Sequence, residues 1–245
     1  MLLVNFNSLK RVSLATVGKF IPVGIPIPIL KGPLKGFKLI TGAASGKAKG
    51  VSYILNLSET RRLNLTKQLI PINGICFDVG ANIGVYTLLF SRFSKFVYSF
   101  EPSPRNLSFL YNMLEINKIK NAQVIRSAVS DFVGFCSFNE TNSCATGKLD
   151  DEGNLKVRVT SLDKFIDKSK ILPDIIKIDV EGAELSVLEG AKNYFLENNP
   201  IVVLETHGDE LKKKCFEFLK NMNYKEIIPL DSESIKKAND FIIIP

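Results

Sequence analysis

The chain has 245 residues, 45% of them hydrophobic, and a formal net charge of +7: enough apolar material for the core of one large domain, and too much for a disordered segment. Its four cysteines, Cys76, Cys136, Cys144 and Cys215, form no CxxC pair and the chain holds one histidine. That argues against a zinc cluster and reads as reduced thiols in a cytoplasmic protein. The positive charge lies at the front, because residues 1–58 carry eight Lys or Arg and no acid, Glu59 being the first carboxylate.

In chain order, the first 20 residues read as a basic amphipathic stretch without the compact apolar run and cleavage site of a signal peptide, which leaves a membrane-surface contact open. "FIPVGIPIPIL", residues 20–30, is interrupted by Pro22, Pro26 and Pro28 and is predicted to be extended. No segment reaches the roughly 20 apolar residues of a membrane span. The basic front is taken as an extension over 1–58, ahead of a domain over 59–245; nucleic acid, anionic lipid and an acidic substrate are its candidate partners, against a lysine-rich solvated surface.

From residue 74 apolar runs alternate with helix-period segments, the pattern of a parallel sheet covered by helices. "GICFDV" is the first strand, followed by a helix from Asn82 to about Phe93. "KFVYSFE" is the second, and its helix starts at "SPRN", where Ser103 caps and Pro104 suits the first turn; Leu107, Leu110, Tyr111 and Leu114 mark its apolar face. "AQVIRSAV" is the third strand. Residues 132–160 break the alternation with two short strands around a polar loop. "DIIKID" is the fourth strand, leading to one helix with Leu185, Leu188, Ala191 and Phe195 on a face. "PIVVLE" is the fifth, followed by a helix with Leu211, Cys215, Phe218 and Met222. "YKEIIPL" and "DFIIIP" close the chain, and the short link between them predicts an antiparallel last strand.

Ligands of open parallel sheets bind beyond the carboxyl ends of the strands. There the first strand delivers Asp78, Gly80, Asn82 and Gly84, the second Glu101, the third Asp131, the fourth Asp179, Glu181 and Glu184, and the fifth Glu205 and His207. Glu101 lies 23 residues after Asp78, near the distance at which an acid accepts hydrogen bonds from ribose hydroxyls, which implies an adenosine-type cofactor. "CFDVGANIGVYT" lacks the middle glycine of a dinucleotide loop, and Asp78 would repel a pyrophosphate placed over the turn. A cationic adenosyl cofactor, S-adenosyl-L-methionine, suits the acid better. Asn82 takes a left-handed backbone angle in place of the missing glycine.

"FDVGANIGVYTLLFS", "SFEPSPRNLSFLYNML", "SAVSD", "SLDKF", "IIKIDVEGAELSVLEGA" and "PIVVLETH", spanning residues 74–207 in order, resemble the successive motifs of the FkbM family of S-adenosylmethionine-dependent methyltransferases. "GPLKG", residues 32–36, is similar to a stretch ahead of the core in some members. The resemblance implies a class I methyltransferase fold, an α/β Rossmann-like doubly wound sheet of seven strands with the last antiparallel. It also implies O-methylation of a hydroxyl on a sugar, glycolipid or other small molecule. It places the cofactor on Asp78, Gly80, Asn82, Gly84 and Glu101, and further on Asp131 and Asp179.

Methyl transfer requires alignment of the acceptor oxygen and loss of its proton. His207 is the expected base, with Glu205, Asp179 and Glu181 as rivals. The same four residues offer ligands to a divalent ion, an alternative ranked second to a metal-free reaction. The N-terminal extension is expected to cover the cleft and attract an anionic acceptor, or else to brace the domain or form a dimer contact. A non-catalytic S-adenosylmethionine-binding protein is the competing reading from another class. An NAD oxidoreductase is disfavoured by Asp78 and Asn82, and a nucleic-acid methyltransferase by the absence of an NPPY-type motif.

Overall fold

In the computed structural model of the chain, residues 22–43, 60–139, 148–149, 153 and 155–245 are described. The basic amphipathic stretch of residues 1–20 and Cys144 lie outside them. Pro26–Pro28 (β1) and Lys38–Ile40 (β2) pair as an antiparallel ribbon, Ile27 opposite Leu39. Prolines suit this two-stranded edge because no further strand needs their missing donors. Thr60–Leu69 forms the first helix, α1.

The alternating region then delivers β3 (Ile75–Val79), α2 (Val85–Phe93), β4 (Phe96–Phe100), α3 (Pro104–Ile116) and β5 (Ala122–Ile125). Short strands follow as β6 (Ala128–Val129), β7 (Gly134–Asn139), β8 (Lys148–Leu149) and β9 (Leu155–Thr160). The remainder is α4 (Leu162–Ser169), β10 (Ile175–Ile178), α5 (Glu184–Glu189), α6 (Lys192–Asn198), β11 (Ile201–Glu205), α7 (Asp209–Asn221), β12 (Glu226–Pro229) and β13 (Asp240–Ile244). No helix among the described residues is long and apolar enough to cross a membrane.

Seven strands make the central sheet in the order β12-β13-β11-β10-β3-β4-β5. The strands from β11 to β5 run parallel, and β13 is antiparallel to both neighbours, as the short final link predicts. The chain winds outward from β3 to β5, then returns to β10 on the other side of β3. The strand order therefore reverses between β3 and β10, which is where such sheets open a ligand crevice. Helices sandwich the sheet, and β3 and β10 are buried along almost their whole length, as strands covered on both faces must be. One apolar cluster gathers Leu88, Leu89 and Met113 with Leu34 and Leu39 of the N-terminal ribbon; the other gathers Phe77, Phe100, Leu188, Phe195 and Phe241.

Four expectations need correction. The third strand is split, because β5 stays in the main sheet while β6 joins β7, β8 and β9 in a separate four-stranded sheet. The helix after the fourth strand breaks at Gly190 and Ala191 into α5 and α6, and only glycine fits at 190, where a Cβ would sit 2.1 Å from the Ser130 carbonyl oxygen. On α3, Met113 is buried in place of Tyr111, which is 45% exposed. Of the expected cover over residues 1–58, residues 44–58, like the first 21, lie outside the described residues; the described part, residues 22–43, does not roof the cleft but seats on the C-terminal ends of α2 and α3. There Arg92 stacks 3.8 Å over the Phe37 ring and donates to the Pro33 and Lys35 carbonyls, while Asn117 exchanges hydrogen bonds with the Lys38 backbone. Both helices begin at the opposite end, beside the crevice, so residues 22–43 act as a brace.

Candidate active site

The turn after β3 is built for close approach. Gly80 has φ 75°, and a Cβ on it would lie 1.8 Å from the Asp179 carbonyl oxygen, so the loops ending β3 and β10 touch backbone to backbone. Two residues on, Asn82 has φ 53°, the left-handed angle expected of it, tolerable because its short polar side chain suits that region. Gly84, also left-handed, caps α2 and packs against Leu110 rather than reaching the crevice.

Beneath this turn lies Asp78, fully buried. Its Oδ2 accepts a hydrogen bond from the Thr87 hydroxyl at 2.6 Å, and its Oδ1 is 3.5 Å from Lys177 Nζ. Burial raises its pKa against the pull of Lys177. The expectation that Asp78 faces a cationic cofactor is thus corrected: the carboxylate anchors the turn from below, and its charge is met inside the protein. Lys177, which the sequence reading passed over, is the counter-ion. Its ammonium donates to the Gly80 carbonyl at 2.7 Å and lies 3.4 Å from Asp179.

Glu101 ends β4 and is 4% exposed. Its Oε2 accepts from the Asn82 amide at 2.7 Å, and its Oε1 from the Ser103 amide at 2.9 Å and from Asn106 Nδ2 at 3.3 Å. Burial raises its pKa to about 7 despite these donors. The crevice runs from Gly80, Asn82 and Glu101, past Ser127, Ala128 and Phe138, to Asp179 and Glu181. Phe138 and Ala128 come from the small four-stranded sheet, which thereby closes one wall. Asp131 stands apart: the turn into that sheet carries it to the surface, where it accepts from Ser130 and borders a groove with Asp163.

At the far end three cations each hold two carboxylates. Lys177 lies between Asp78 and Asp179. Arg62, delivered by α1, reaches Glu205 at 3.2 Å and Asp240 at 2.5 Å. His207 is bracketed, with Nδ1 2.8 Å from Glu184 and Nε2 3.1 Å from Glu181. The Glu184 hydrogen bond is the main reason that the His207 pKa rises to about 9. It is therefore a cation near neutral pH with both nitrogens engaged, and not the free base that the sequence suggested.

Glu181 has φ 56°, a left-handed angle that costs a non-glycine residue about 1–2 kcal/mol, and strain of this kind collects at working sites. Burial raises its pKa, opposed by His207. Glu184 is fully buried under the loop, accepting from the Gly182 amide as well as from His207. Arg62 and Asp240 carried no sequence signal, because the carboxylates that Arg62 meets lie 143 and 178 residues from it, and Asn106 none because its bond to Glu101 depends on how α3 packs. Lys177 did carry one, a lone charge inside the apolar run of β10.

The family profile described as "Methyltransferase FkbM domain" matches residues 78–228. The hexuronic acid methyltransferase AglP of Haloferax volcanii is 28% identical over 174 residues, which is 69% of this chain and 69% of that protein. An FkbM methyltransferase structure from Methylobacillus flagellatus KT matches at TM-score 0.53 and 14% identity, over 98% of this chain; the chain spans 60% of that structure's length. An rRNA methylase structure from Streptococcus thermophilus matches at TM-score 0.50 and 13% identity, over 75% of this chain and 92% of that one. Both structural likenesses bear on the fold, that of class I methyltransferases.

Proposed function

This chain belongs to the FkbM methyltransferase family, and from that premise we propose that it methylates a hydroxyl of a sugar-type acceptor, using S-adenosylmethionine. The observation that carries the reading is the crevice itself. One end offers the left-handed turn at Gly80 and Asn82 with the buried Glu101 beside it, and the other a ring of carboxylates around His207.

The fit to an adenosyl cofactor rests on Glu101. Its Oε2 accepts from the Asn82 amide and it lines the crevice, and a carboxylate oxygen accepts from more than one donor, so ribose hydroxyls can add to it there. Gly80 keeps the loop low enough for a ligand to lie over it, and Phe138 supplies an apolar wall. When bound, the cofactor supplies a methyl group already activated on a sulfonium.

At the acceptor end Glu181 takes the hydroxyl proton. Its carboxyl is half-buried, its pKa is raised, and it lines the crevice beside Asp179. With its proton held by Glu181, the acceptor oxygen would be free to take the methyl group, and the sulfonium would leave as a neutral thioether. His207, charged and held by Glu184, fixes Glu181 through Nε2. The relative's hexuronic acid substrate makes glycosides of uronic acids the first acceptors to try. The experiment is transfer of labelled methyl from S-adenosylmethionine to uronic and neutral glycosides, with calorimetry on S-adenosylmethionine, its demethylated product and NAD. Tight NAD binding with no affinity for S-adenosylmethionine would sink the reading.

A further inference from the structure

We infer that Asp179, Glu205 and His207 form a divalent-cation site at the acceptor end of the crevice, which holds the acceptor's oxygens against the acidic ring. One ligand atom from each of the three residues lies within 4.8 Å of the others. Around an ion with bonds of about 2.1 Å, ligands sit about 3.0 Å apart when adjacent and about 4.2 Å apart when opposite. The three side chains therefore need to draw in by only about half an ångström or more, with no change of backbone. Two carboxylates and one imidazole suit a Mn²⁺- or Mg²⁺-type ion more than a thiolate-seeking one.

Two further features point the same way. The His207 Nδ1 is taken by Glu184, a residue with no exposed surface. A buried carboxylate on the far nitrogen of an imidazole is how metal-binding histidines are oriented, leaving the other nitrogen for the ion. Here that nitrogen, Nε2, lies 3.1 Å from Glu181 and 4.0 Å from Glu205; in the metal-free chain it carries a proton toward Glu181, which the ion displaces when it binds. Glu184 Oε2 is also buried with no hydrogen-bond partner. The second feature is charge. Six carboxyl groups, Asp78, Asp179, Glu181, Glu184, Glu205 and Asp240, share the three cations Lys177, Arg62 and His207, so oxygen ligands outnumber the protein's own cations around the site.

Such a ring is ill matched to an acidic sugar, yet an acidic sugar is the substrate of a relative. A divalent ion held by Asp179, Glu205 and His207 would offset the mismatch, supplying positive charge to an acidic acceptor and acidifying its hydroxyl, whose proton would still pass to Glu181. That role rests on the methyltransferase reading; the site itself does not.

The test is titration of the full chain with Mn²⁺, without S-adenosylmethionine, following loss of the free-ion signal by electron paramagnetic resonance. One ion per chain is expected. Asp179→Asn and His207→Gln should weaken binding at least 10-fold, and Glu184→Gln about 10-fold or more through the imidazole. Asp167→Asn, on the exposed outer face of α4, should leave it unchanged, and circular dichroism checks that each variant is folded. No binding at millimolar Mn²⁺, or binding indifferent to both Asp179→Asn and His207→Gln, overturns the site. Cofactor calorimetry and label transfer report separately, so failure of the ion site and failure of the methyltransferase reading are distinguishable.

Discussion

Replacing Gly80 by alanine tests the claim that two loop backbones are in contact at the cofactor turn. The new methyl would lie 1.8 Å from the Asp179 carbonyl oxygen and 2.9 Å from its carbon. Ordinary contact begins near 3.4 Å, so β3 and β10 must part by more than an ångström at their ends, or the turn must unwind. The left-handed φ alone costs about 1–2 kcal/mol, and forcing a methyl into packed backbone adds about 1–3 kcal/mol. Gly36→Ala is the matched control: φ is 88° and nothing lies within 4 Å of its Cβ, so only the first contribution applies. Urea unfolding of both variants should show Gly80→Ala losing about 2–5 kcal/mol and Gly36→Ala about 1–2 kcal/mol. Calorimetry should show S-adenosylmethionine affinity reduced at least 10-fold in the first and unchanged in the second. Equal destabilisation, with cofactor affinity intact, would refute the contact.

Lys177→Met strands the buried Asp78 carboxylate and should cost about 3–5 kcal/mol in chemical denaturation, as loss of one partner of a buried pair does; adding Asp78→Asn should return part of it, and a fully additive double variant would mean that the two side chains do not interact. Glu181→Gln should lower kcat about 100-fold or more while leaving the KM for S-adenosylmethionine within a factor of two, whereas unchanged turnover would return the proton to another residue. Glu101 gives two opposite pH trends. Its folded pKa of about 7 lies above the ordinary 4.5, so its contribution to apo stability falls as pH rises from about 4.5 to 7. Cofactor affinity, which needs the carboxylate, should rise through the same interval and level off above it; affinity flat between pH 5.5 and 8 would remove Glu101 from ribose binding.

The sheet was legible because its strands are buried on both faces and announce themselves as apolar runs, and because Ser103 and Pro104 mark the start of α3 so clearly. What the sequence hides is direction. The residue string places Asp78 at a strand end, but whether its side chain meets the ligand or the floor depends on Lys177, its register partner on the neighbouring strand β10. His207 reads as a base from its intrinsic pKa, and only the approach of Glu184 and Glu181 makes it a cation. The split between β5 and β6 turns on where Arg126 and Ser127 leave the sheet edge, a tertiary matter on which strand propensity is silent. Asn82 was the opposite case: its left-handed angle follows from local chemistry alone, and local chemistry sufficed.

The proline-bearing ribbon also bears on the crevice it does not touch. Helix α3 has 13 residues, a rod about 20 Å long at 1.5 Å per residue. Its far end is tied to Lys38 through Asn117, and its near end sits beside Ser103 and Glu101. A tilt of about three degrees at the tied end displaces the other by about an ångström, a third of a hydrogen-bond length. The ribbon is thus an alignment fixture, and substitutions at Phe37 or Lys38 give a handle on cofactor geometry from the opposite pole of the domain.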